Sequence, residues 1–283
     1  FMEIIIPILT LGFLGLLFGI GLVLASKKLA VQVDTRLEKI NALLPGANCG
    51  ACGKAGCFGF AQAILSGEAK IDTCRVSSDQ IKEEIAKVLG RKLTREVKKI
   101  AVLHCAGGSK LKDKYIYDGI KECVAANLVL GGQKECFFGC LGFGDCQRVC
   151  PFGAIKMSKE DLPVVDENKC RGCNKCVETC PKKLFSLVPV AGLAFACKVR
   201  VYIACASHDL GKDTKAVCPV GCIGCGLCVK ACKFEAIHII DNLAVIDYNK
   251  CTSCSECVKV CPVKCIKTLP LLEDRAQTER RLK

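Results

Sequence analysis

Cysteine is the residue that most constrains this chain, because 26 of its 283 residues carry a thiol. That density is typical either of a secreted disulfide scaffold or of an intracellular metal protein. Tryptophan is absent, and only 12 phenylalanines and 4 tyrosines are present. This composition excludes a fibrous protein, a disordered chain and a large enzyme built on one apolar core. The location of the chain decides between the two cysteine-rich classes.

An uncharged apolar segment over residues 4–25 predicts a transmembrane helix. At about 1.5 Å per residue it would extend roughly 33 Å, enough to cross a hydrocarbon core of about 30 Å. The alternative, a cleaved signal peptide, requires a positive charge before the apolar run and a small-residue cleavage site after it. Here Glu3 precedes the run, and Lys27 and Lys28 follow it. The positive-inside rule places the remainder of the chain in the cytoplasm, where reducing conditions favour metal ligation over disulfides.

Three glycines lie along one face of this predicted helix, at positions Gly12, Gly15 and Gly19. In lipid, a stripe of small residues allows a second helix to approach closely. We therefore expect the anchor to pack against a helix of another protein. The alternative is an anchor whose glycines face lipid.

The first candidate metal site has the spacing C-x2-C-x4-C-x16-C and consists of Cys49, Cys52, Cys57 and Cys74. Glycines between these thiols allow tight bends that bring backbone N–H groups close to a bulky inorganic anion. Three cysteines within nine residues suit an iron–sulfur cluster better than zinc, which is usually bound by two separated pairs. Zinc remains the alternative. A helix capped by Ser77 and ended by Gly90 is expected to follow.

The rest of the chain contains an internal repeat of cysteine motifs. Two motifs read C-x2-C-x2-C-x3-C-P, and they are Cys170, Cys173, Cys176 and Cys180, and Cys251, Cys254, Cys257 and Cys261. A third motif repeats the spacing without the proline and consists of Cys222, Cys225, Cys228 and Cys232. The fourth is looser and contains Cys136, Cys140, Cys146 and Cys150. The pattern predicts two ferredoxin-like modules, each with two [4Fe-4S] clusters.

In a two-cluster ferredoxin module, the first three cysteines of a motif bind one cluster and the fourth binds the other. This pairing predicts four ligand sets: Cys136, Cys140, Cys146 and Cys180; Cys150, Cys170, Cys173 and Cys176; Cys222, Cys225, Cys228 and Cys261; and Cys232, Cys251, Cys254 and Cys257. The alternative, a set of zinc knuckles, is not supported, because the ligand spacing differs from that of zinc knuckles and the chain has only 3 histidines. Together with the N-terminal site, the sequence predicts five [4Fe-4S] clusters.

Six cysteines remain outside these sets: Cys105, Cys123, Cys197, Cys205, Cys218 and Cys265. Four of the first five could hold a sixth cluster. The segments that end at Cys105 and Cys205 look like matching strand ends, which favours this possibility. Free buried thiols also behave as small apolar residues. This second interpretation is preferred at the level of sequence, and the six are left out of the predicted sites.

The formal net charge of +13 is weak evidence for a nucleic-acid partner. An oxidised four-iron core with four thiolates carries about −2, so five clusters would offset about 10 of these charges. The sequence has no basic stripe with stacking aromatics, no nucleotide-binding glycine motif and no nucleophile–base pair. We therefore expect no nucleic-acid partner and no catalytic residues beyond the metal ligands.

The order of these parts resembles the B subunit of the Rnf (Rsx) complex, the ion-pumping ferredoxin:NAD+ oxidoreductase of bacterial membranes. The resemblance extends to about residue 268 and rests on the anchor, the segment NCGACGKAGC at 48–57, the segment GCLGFGDC at 139–146 and the paired motifs. It implies that the chain accepts electrons from reduced ferredoxin and passes them to flavin-bearing membrane subunits and an NAD-binding subunit. In that complex the transfer drives Na+ or H+ across the membrane. The resemblance also implies a single-pass protein of the bacterial cytoplasmic membrane, with its iron–sulfur domains on the cytoplasmic side.

The predicted architecture is α+β, with an N-terminal transmembrane helix, a small four-cysteine [4Fe-4S] domain and two tandem ferredoxin-like modules. The expected division of the chain is an anchor (1–28), an amphipathic connector (29–45), the four-cysteine domain (46–90), a linker with a small α/β segment (91–135), the first module (136–190), a connecting segment (191–217), the second module (218–269) and a charged tail (270–283). Two other functions stay open. One is an electron relay of a hydrogenase or dehydrogenase complex, and the other is an interaction scaffold stabilised by metal.

Overall fold

The structure, a computed structural model, describes residues 2–28, 34–93, 99–189 and 199–270. It combines helices with short antiparallel strands, as the α+β prediction requires. Cys197 and the charged tail from residue 271 onward lie outside the described residues.

Helix α1 spans Met2–Lys28, and its segment Leu9–Lys28 is long and apolar enough to cross a membrane. The large apolar side chains described in this helix are exposed. A Cβ atom added at any of the three glycines of its small-residue stripe would meet no atom within 4 Å. That face therefore has room for a neighbouring helix.

Three helices form a small domain after the anchor: α2 (Thr35–Leu43), α3 (Gly56–Ser66) and α4 (Asp79–Leu89). Their apolar faces enclose one core, in which Phe60 and Ile85 are almost completely buried. Helix α2 lies within the predicted amphipathic connector, although residues 29–33 of that connector are outside the described residues.

Helix α4 begins one residue later than the sequence predicted. Its N-cap is Ser78, whose hydroxyl accepts a hydrogen bond from the backbone N–H of Ile81 at 3.3 Å. Ser77 Oγ instead donates to Cys74 Sγ at 3.1 Å. Gly90 ends the helix at φ 63°, as predicted. The hydroxyl that was expected to cap the helix therefore contacts a candidate metal ligand.

The first ferredoxin-like module alternates strands and short helices. Its elements are β1 (Lys99–Leu103), α5 (Cys123–Leu128), α6 (Asp145–Arg148), β2 (Ile155–Met157), β3 (Pro163–Val165), α7 (Lys175–Thr179) and β4 (Phe185–Pro189). Strand β1 pairs with β4 in antiparallel register, and β2 pairs with β3. The β1–β4 sheet thus joins the two ends of the module's sequence.

The second module repeats this arrangement. Its elements are β5 (Val199–Ile203), α8 (Gly211–Val217), α9 (Leu227–Ala231), β6 (Ile237–Ile240), β7 (Leu243–Ile246), α10 (Glu256–Val260) and β8 (Ile266–Pro270). Strand β5 pairs with β8, and β6 pairs with β7. In both modules the first strand, β1 or β5, comes from a segment that the sequence analysis assigned to a linker or a connection.

The two modules share an apolar interface formed by the β1–β4 sheet and the β5–β8 sheet. Ile100 and Val188 of the first module are almost completely buried, and they belong to one apolar cluster with Tyr202 and Leu269 of the second. Apolar burial contributes roughly 25 cal/mol per Å² of surface removed from water, so this contact favours one fixed arrangement of the modules.

His104 connects the modules through both nitrogens of its ring. The carbonyl oxygen of Ile203 lies 2.6 Å from Nδ1, and the hydroxyl of Ser186 lies 2.6 Å from Nε2. Because a carbonyl oxygen only accepts, Nδ1 carries the proton and Nε2 accepts from the hydroxyl. Burial lowers the pKa of this imidazole, which favours the neutral ring that such a pairing requires. His104 thus joins strand β4 to the end of strand β5.

We predict that His104→Leu destabilises the iron-loaded chain by about 1–3 kcal/mol, because two buried polar partners lose their hydrogen bonds. The measurement is the urea midpoint followed by circular dichroism and visible absorbance, with iron content determined in parallel. His238→Leu, at an exposed position of β6, is the matched control and should change stability by less than about 0.5 kcal/mol. Equal midpoints for the two variants would show that the bridge contributes nothing.

Candidate metal centres

The three regular cysteine motifs share one local conformation. In each, the third cysteine lies in the first turn of a short helix, and the fourth directly follows the last residue of that helix. The residue before each helix is left-handed, with φ of 72° at Asn174, 72° at Gly226 and 64° at Ser255. This conformation turns the chain sharply between the second and third thiols, so that a short loop folds around one centre.

The predicted set Cys150, Cys170, Cys173 and Cys176 lies together in the first module. Burial raises the pKa of the Cys176 thiol to about 12, and its nearest thiol neighbours, including the other three members of the set, raise it further. Backbone N–H groups point at two of the sulfurs, since Ala154 donates to Cys150 Sγ at 3.3 Å and Ala101 of β1 approaches Cys170 Sγ at 3.5 Å. Such N–H groups support thiolates that bind a metal.

The equivalent set of the second module, Cys232, Cys251, Cys254 and Cys257, also lies together. Burial raises the pKa of Cys257 to about 12, and the charges of Cys251, Cys254 and Cys232 contribute in the same direction. Ala236 N–H donates to Cys232 Sγ and Ser253 N–H donates to Cys251 Sγ, each at 3.4 Å. Cys254 is exposed, so this centre lies close to the protein surface.

The other set of the second module lies beside a thiol that the sequence analysis left out. Burial and the thiols of Cys222 and Cys225 raise the pKa of Cys228 to about 11. A hydrogen bond from Cys265 lowers the pKa of Cys222. Cys265 Sγ lies 3.7 Å from Cys261 Sγ, and so it stands between two members of the predicted set.

The N-terminal set lines a single cavity, whose walls include Cys49, Cys52, Cys57 and Cys74 together with Phe60. The loop around it is fixed by the Asn48 side-chain carbonyl, which accepts from Cys57 N–H at 2.7 Å. Gly56 begins α3 at φ 80°, and a Cβ atom there would lie 2.7 Å from that same carbonyl oxygen. Glycine is therefore required for the turn that brings these thiols together.

The thiols of the loose motif lie in two different groups. A cavity of the first module is lined by four thiols, which are Cys123, Cys140, Cys146 and Cys180. Burial raises the pKa of Cys146 to about 12, and the nearby thiols of Cys123 and Cys180 raise it in the same direction. Cys123 thus occupies the place in this group that the sequence analysis gave to Cys136.

Cys136 lies instead among thiols that the sequence analysis left unassigned. Burial raises its pKa to about 12, and the thiols of Cys105, Cys218 and Cys205 raise it further. Cys136 and Cys218 also belong to one small apolar cluster with Leu111. The structure therefore separates Cys136 from the cavity that holds Cys140, Cys146 and Cys180.

The chemistry of these groups fits iron–sulfur clusters. All cysteines that the structure describes are free thiols, so none of them forms a disulfide. Across the same described residues, no group of three or more histidine, cysteine or acidic side chains could hold a single metal ion. Zinc requires sulfurs about 2.3 Å from one centre, whereas a four-iron cube separates its ligands more widely. Groups of soft thiolates without histidine also suit an iron–sulfur cluster.

Comparison with known protein families agrees with this chemistry. A family described as "Putative Fe-S cluster" matches residues 44–76. Two families, each described as a 4Fe-4S dicluster domain, match residues 139–184 and 221–265. The chain therefore carries iron–sulfur domains at the three places where the sequence analysis found its motifs.

Several curated proteins are similar over most of this chain. The B subunit of the Na(+)-translocating ferredoxin:NAD(+) oxidoreductase complex of Acetobacterium woodii is 44% identical over 93% of the chain and 78% of its own length. The B subunit of the ion-translocating oxidoreductase complex of Methanosarcina acetivorans is 39% identical over 92% of the chain and 96% of its own length. The B subunit of the proton-translocating ferredoxin:NAD(+) oxidoreductase complex of Clostridium ljungdahlii is 37% identical over 89% of the chain and 87% of its own length.

We predict that Gly56→Ala abolishes metal binding in the N-terminal domain and removes about 4 iron atoms from the chain, since one cube holds four. The added Cβ combines a strained positive φ, which costs on the order of 1–3 kcal/mol, with contact against Asn48. Iron and sulfide are measured on anaerobically purified protein. Gly59→Ala, in the same helix with no atom within 4 Å of the new Cβ, is the control and should keep its iron. Full iron content in both variants would contradict the requirement for glycine.

Proposed function

Because the chain belongs to the family of B subunits of ion-translocating oxidoreductase complexes, we propose that it is the iron–sulfur electron-transfer subunit of a ferredoxin:NAD+ oxidoreductase. Its clusters would carry single electrons when bound. The residues of the chain fix the positions of these clusters, exclude water from them and connect them across the two modules.

The observation that carries this proposal is the arrangement of thiol groups along two modules packed against each other. We assign one [4Fe-4S] cluster to each of five groups. Four groups are those of the motifs: Cys49, Cys52, Cys57 and Cys74; Cys150, Cys170, Cys173 and Cys176; Cys222, Cys225, Cys228 and Cys261; and Cys232, Cys251, Cys254 and Cys257. Cys140, Cys146 and Cys180 bind the fifth cluster with one further thiol. Since one apolar cluster extends across the module interface, the clusters on its two sides would lie within one packed unit.

Reduced ferredoxin is the proposed electron donor, and its docking surface is the exposed edge of the second module. Cys225 and Cys254 are the two exposed thiols among the described cysteines, so the centres nearest to solvent lie here. Two lysines lie at this edge: Lys259 forms a salt bridge with Glu256 at 2.8 Å and lies near Cys254, and Lys233 also lies near Glu256. A basic rim around an accessible cluster favours an acidic redox partner.

We predict that Lys233→Glu combined with Lys259→Glu raises the KM for reduced ferredoxin about 3- to 10-fold at low salt, because exposed charge pairs contribute about 0.2–1 kcal/mol each. The difference should decrease as ionic strength rises, because salt screens exposed charges. The assay is ferredoxin-dependent NAD+ reduction by the assembled complex. Lys156→Glu, on the exposed side of β2, is the control and should leave the KM unchanged. An equal KM for both variants would place the docking surface elsewhere.

The anchor α1 is proposed to cross the cytoplasmic membrane once and to keep the iron–sulfur domains on the cytoplasmic side. Lys27 and Lys28 at its C-terminal end support this orientation. The open glycine face of α1 would receive a helix of another membrane subunit of the complex. Electrons would leave this chain toward those subunits, which carry flavins in the family that the sequence resembles.

The function is tested in membranes of cells that lack this chain. We expect ferredoxin-dependent NAD+ reduction to disappear and to return with the full chain, but not with residues 29–283, which retain the clusters without the anchor. Redox titration of the purified chain is the second measurement. Activity that survives the deletion would refute the assignment to this complex, and clusters that resist reduction at low potential would indicate a structural scaffold.

A further inference from the structure

The two modules can be aligned with a constant offset of 82 residues around their first motifs. Cys140, Cys146 and Cys150 then correspond to Cys222, Cys228 and Cys232, and the glycines at 142 and 144 correspond to those at 224 and 226. At the same offset, Phe143 stands at the position of Cys225. The first motif of the first module therefore lacks its middle thiol, and the cluster at Cys140 and Cys146 needs a ligand from another part of the chain.

Cys123 is placed to supply that ligand. It begins helix α5, and the Asp145 carboxylate accepts the backbone N–H groups of Cys123 at 3.0 Å and Val124 at 3.1 Å. Asp145 is almost fully buried and immediately precedes Cys146. This pairing fixes Cys123 in the cavity that it shares with Cys140, Cys146 and Cys180. The set of four is complete without Cys136.

The same offset pairs Cys136 with Cys218, and both lie outside the ranges that match a dicluster domain. A second equivalent pair is Cys105 and Cys205. Cys105 lies two residues after the end of β1, and Cys205 lies two residues after the end of β5. The four thiols are therefore two matching pairs, with one member of each pair in each module.

Contacts at the module interface bring these pairs together. The bond between His104 and the Ile203 carbonyl holds the ends of β1 and β5 side by side, directly before Cys105 and Cys205. The rings of Phe138 and His208 meet edge to face at 5.7 Å between centroids, which joins the loop after Cys136 to the loop after Cys205. Cys136 and Cys218 share their apolar cluster with Leu111.

We propose that Cys105, Cys136, Cys205 and Cys218 bind a sixth [4Fe-4S] cluster at the interface of the two modules, and that Cys123 takes the place of Cys136 in the neighbouring first-module cluster. The proposal rests on the assignment of this chain as an iron–sulfur protein. It adds a binding site to which each module contributes two ligands.

The surroundings of the four sulfurs suit an anionic cluster. Cys136, Cys205 and Cys218 are buried, which excludes water. Cys205 Sγ accepts the backbone N–H groups of Cys222 at 3.2 Å and Ser207 at 3.5 Å. The ammonium group of Lys110 lies near Cys218. Nearby cationic and N–H groups stabilise thiolates that a metal centre requires.

The position of this site explains how electrons would pass between the modules. Cys222, a ligand of a second-module cluster, donates its N–H to Cys205 Sγ. On the other side, Cys105 lies near Cys140, a ligand of a first-module cluster. The sixth cluster thus stands between clusters of the two modules and next to ligands of both.

Iron counting on the full chain, purified without oxygen, tests the proposal. We expect about 24 iron atoms for the wild type, four for each of six clusters, and about 20 for Cys205→Ala. Cys123→Ala should also lose about four, because Cys123 binds the neighbouring cluster. Val124→Ala, next to Cys123 in helix α5 with its side chain 48% exposed, is the control and should keep all iron.

The number of reduced clusters gives an independent measurement that does not depend on how a variant folds. Spin quantification of the reduced wild type by electron paramagnetic resonance should approach six per chain. About 20 iron atoms in the wild type, with or without one zinc, would overturn the sixth site and leave the proposed function intact. Retention of all iron in Cys123→Ala would overturn the exchange of Cys123 for Cys136. A wild type without iron would instead refute the proposed function itself.

Discussion

Ligation of iron by thiolates is the interaction on which the rest of this fold depends. The helices that position the ligands are very short, for example 4 residues in α6 and 5 in α7, and each sheet has two strands. Elements of this size are marginal in water when isolated. The apolar clusters of both modules include the ligand cysteines themselves, so the core is not separate from the metal sites. The free energy of metal binding is therefore also free energy of folding, as in other small metal domains.

A second constraint is the contact between the modules. The β1–β4 and β5–β8 sheets of the two similar modules pack against each other. His104 and Arg200 add polar contacts across this interface. Arg200 does so by donating from Nε to the Pro189 carbonyl at 2.6 Å. This contact converts thiols that are far apart in sequence into neighbours. The duplication is imperfect, because Phe143 replaces a ligand in one half. The proposed exchange of Cys123 for Cys136 would be a local consequence of that replacement, and it would leave Cys136 available for a site at the interface.

Charge compensation connects the basic composition to the buried thiols. Several of these thiols have a raised pKa because burial and their neighbours disfavour a thiolate without metal. Lysines stand near the centres: Lys182 donates to the Phe137 carbonyl at 2.6 Å and interacts with Cys136 and Cys180. Bound anionic clusters would offset a large part of the net charge of +13. At the edge of the second module the same basic residues would serve to recognise an acidic partner.

The amino-acid order alone was enough to predict the chemistry and the class of fold. The C-x2-C-x2-C-x3-C spacing is local, so it predicted which thiols share a loop at Cys170–Cys176 and Cys251–Cys257, and an uncharged run of residues predicted α1. The 82-residue offset, which aligns Phe143 with Cys225, can also be recognised in the sequence. It does not indicate which thiol replaces the missing ligand. Packing of the folded chain was needed to place Cys123 beside Cys146 and Cys136 beside Cys218. It also paired β1 with β4 and β5 with β8, across segments that looked like linkers. These contacts join residues that are far apart along the chain, and their partners depend on how whole sheets pack, which no local spacing records.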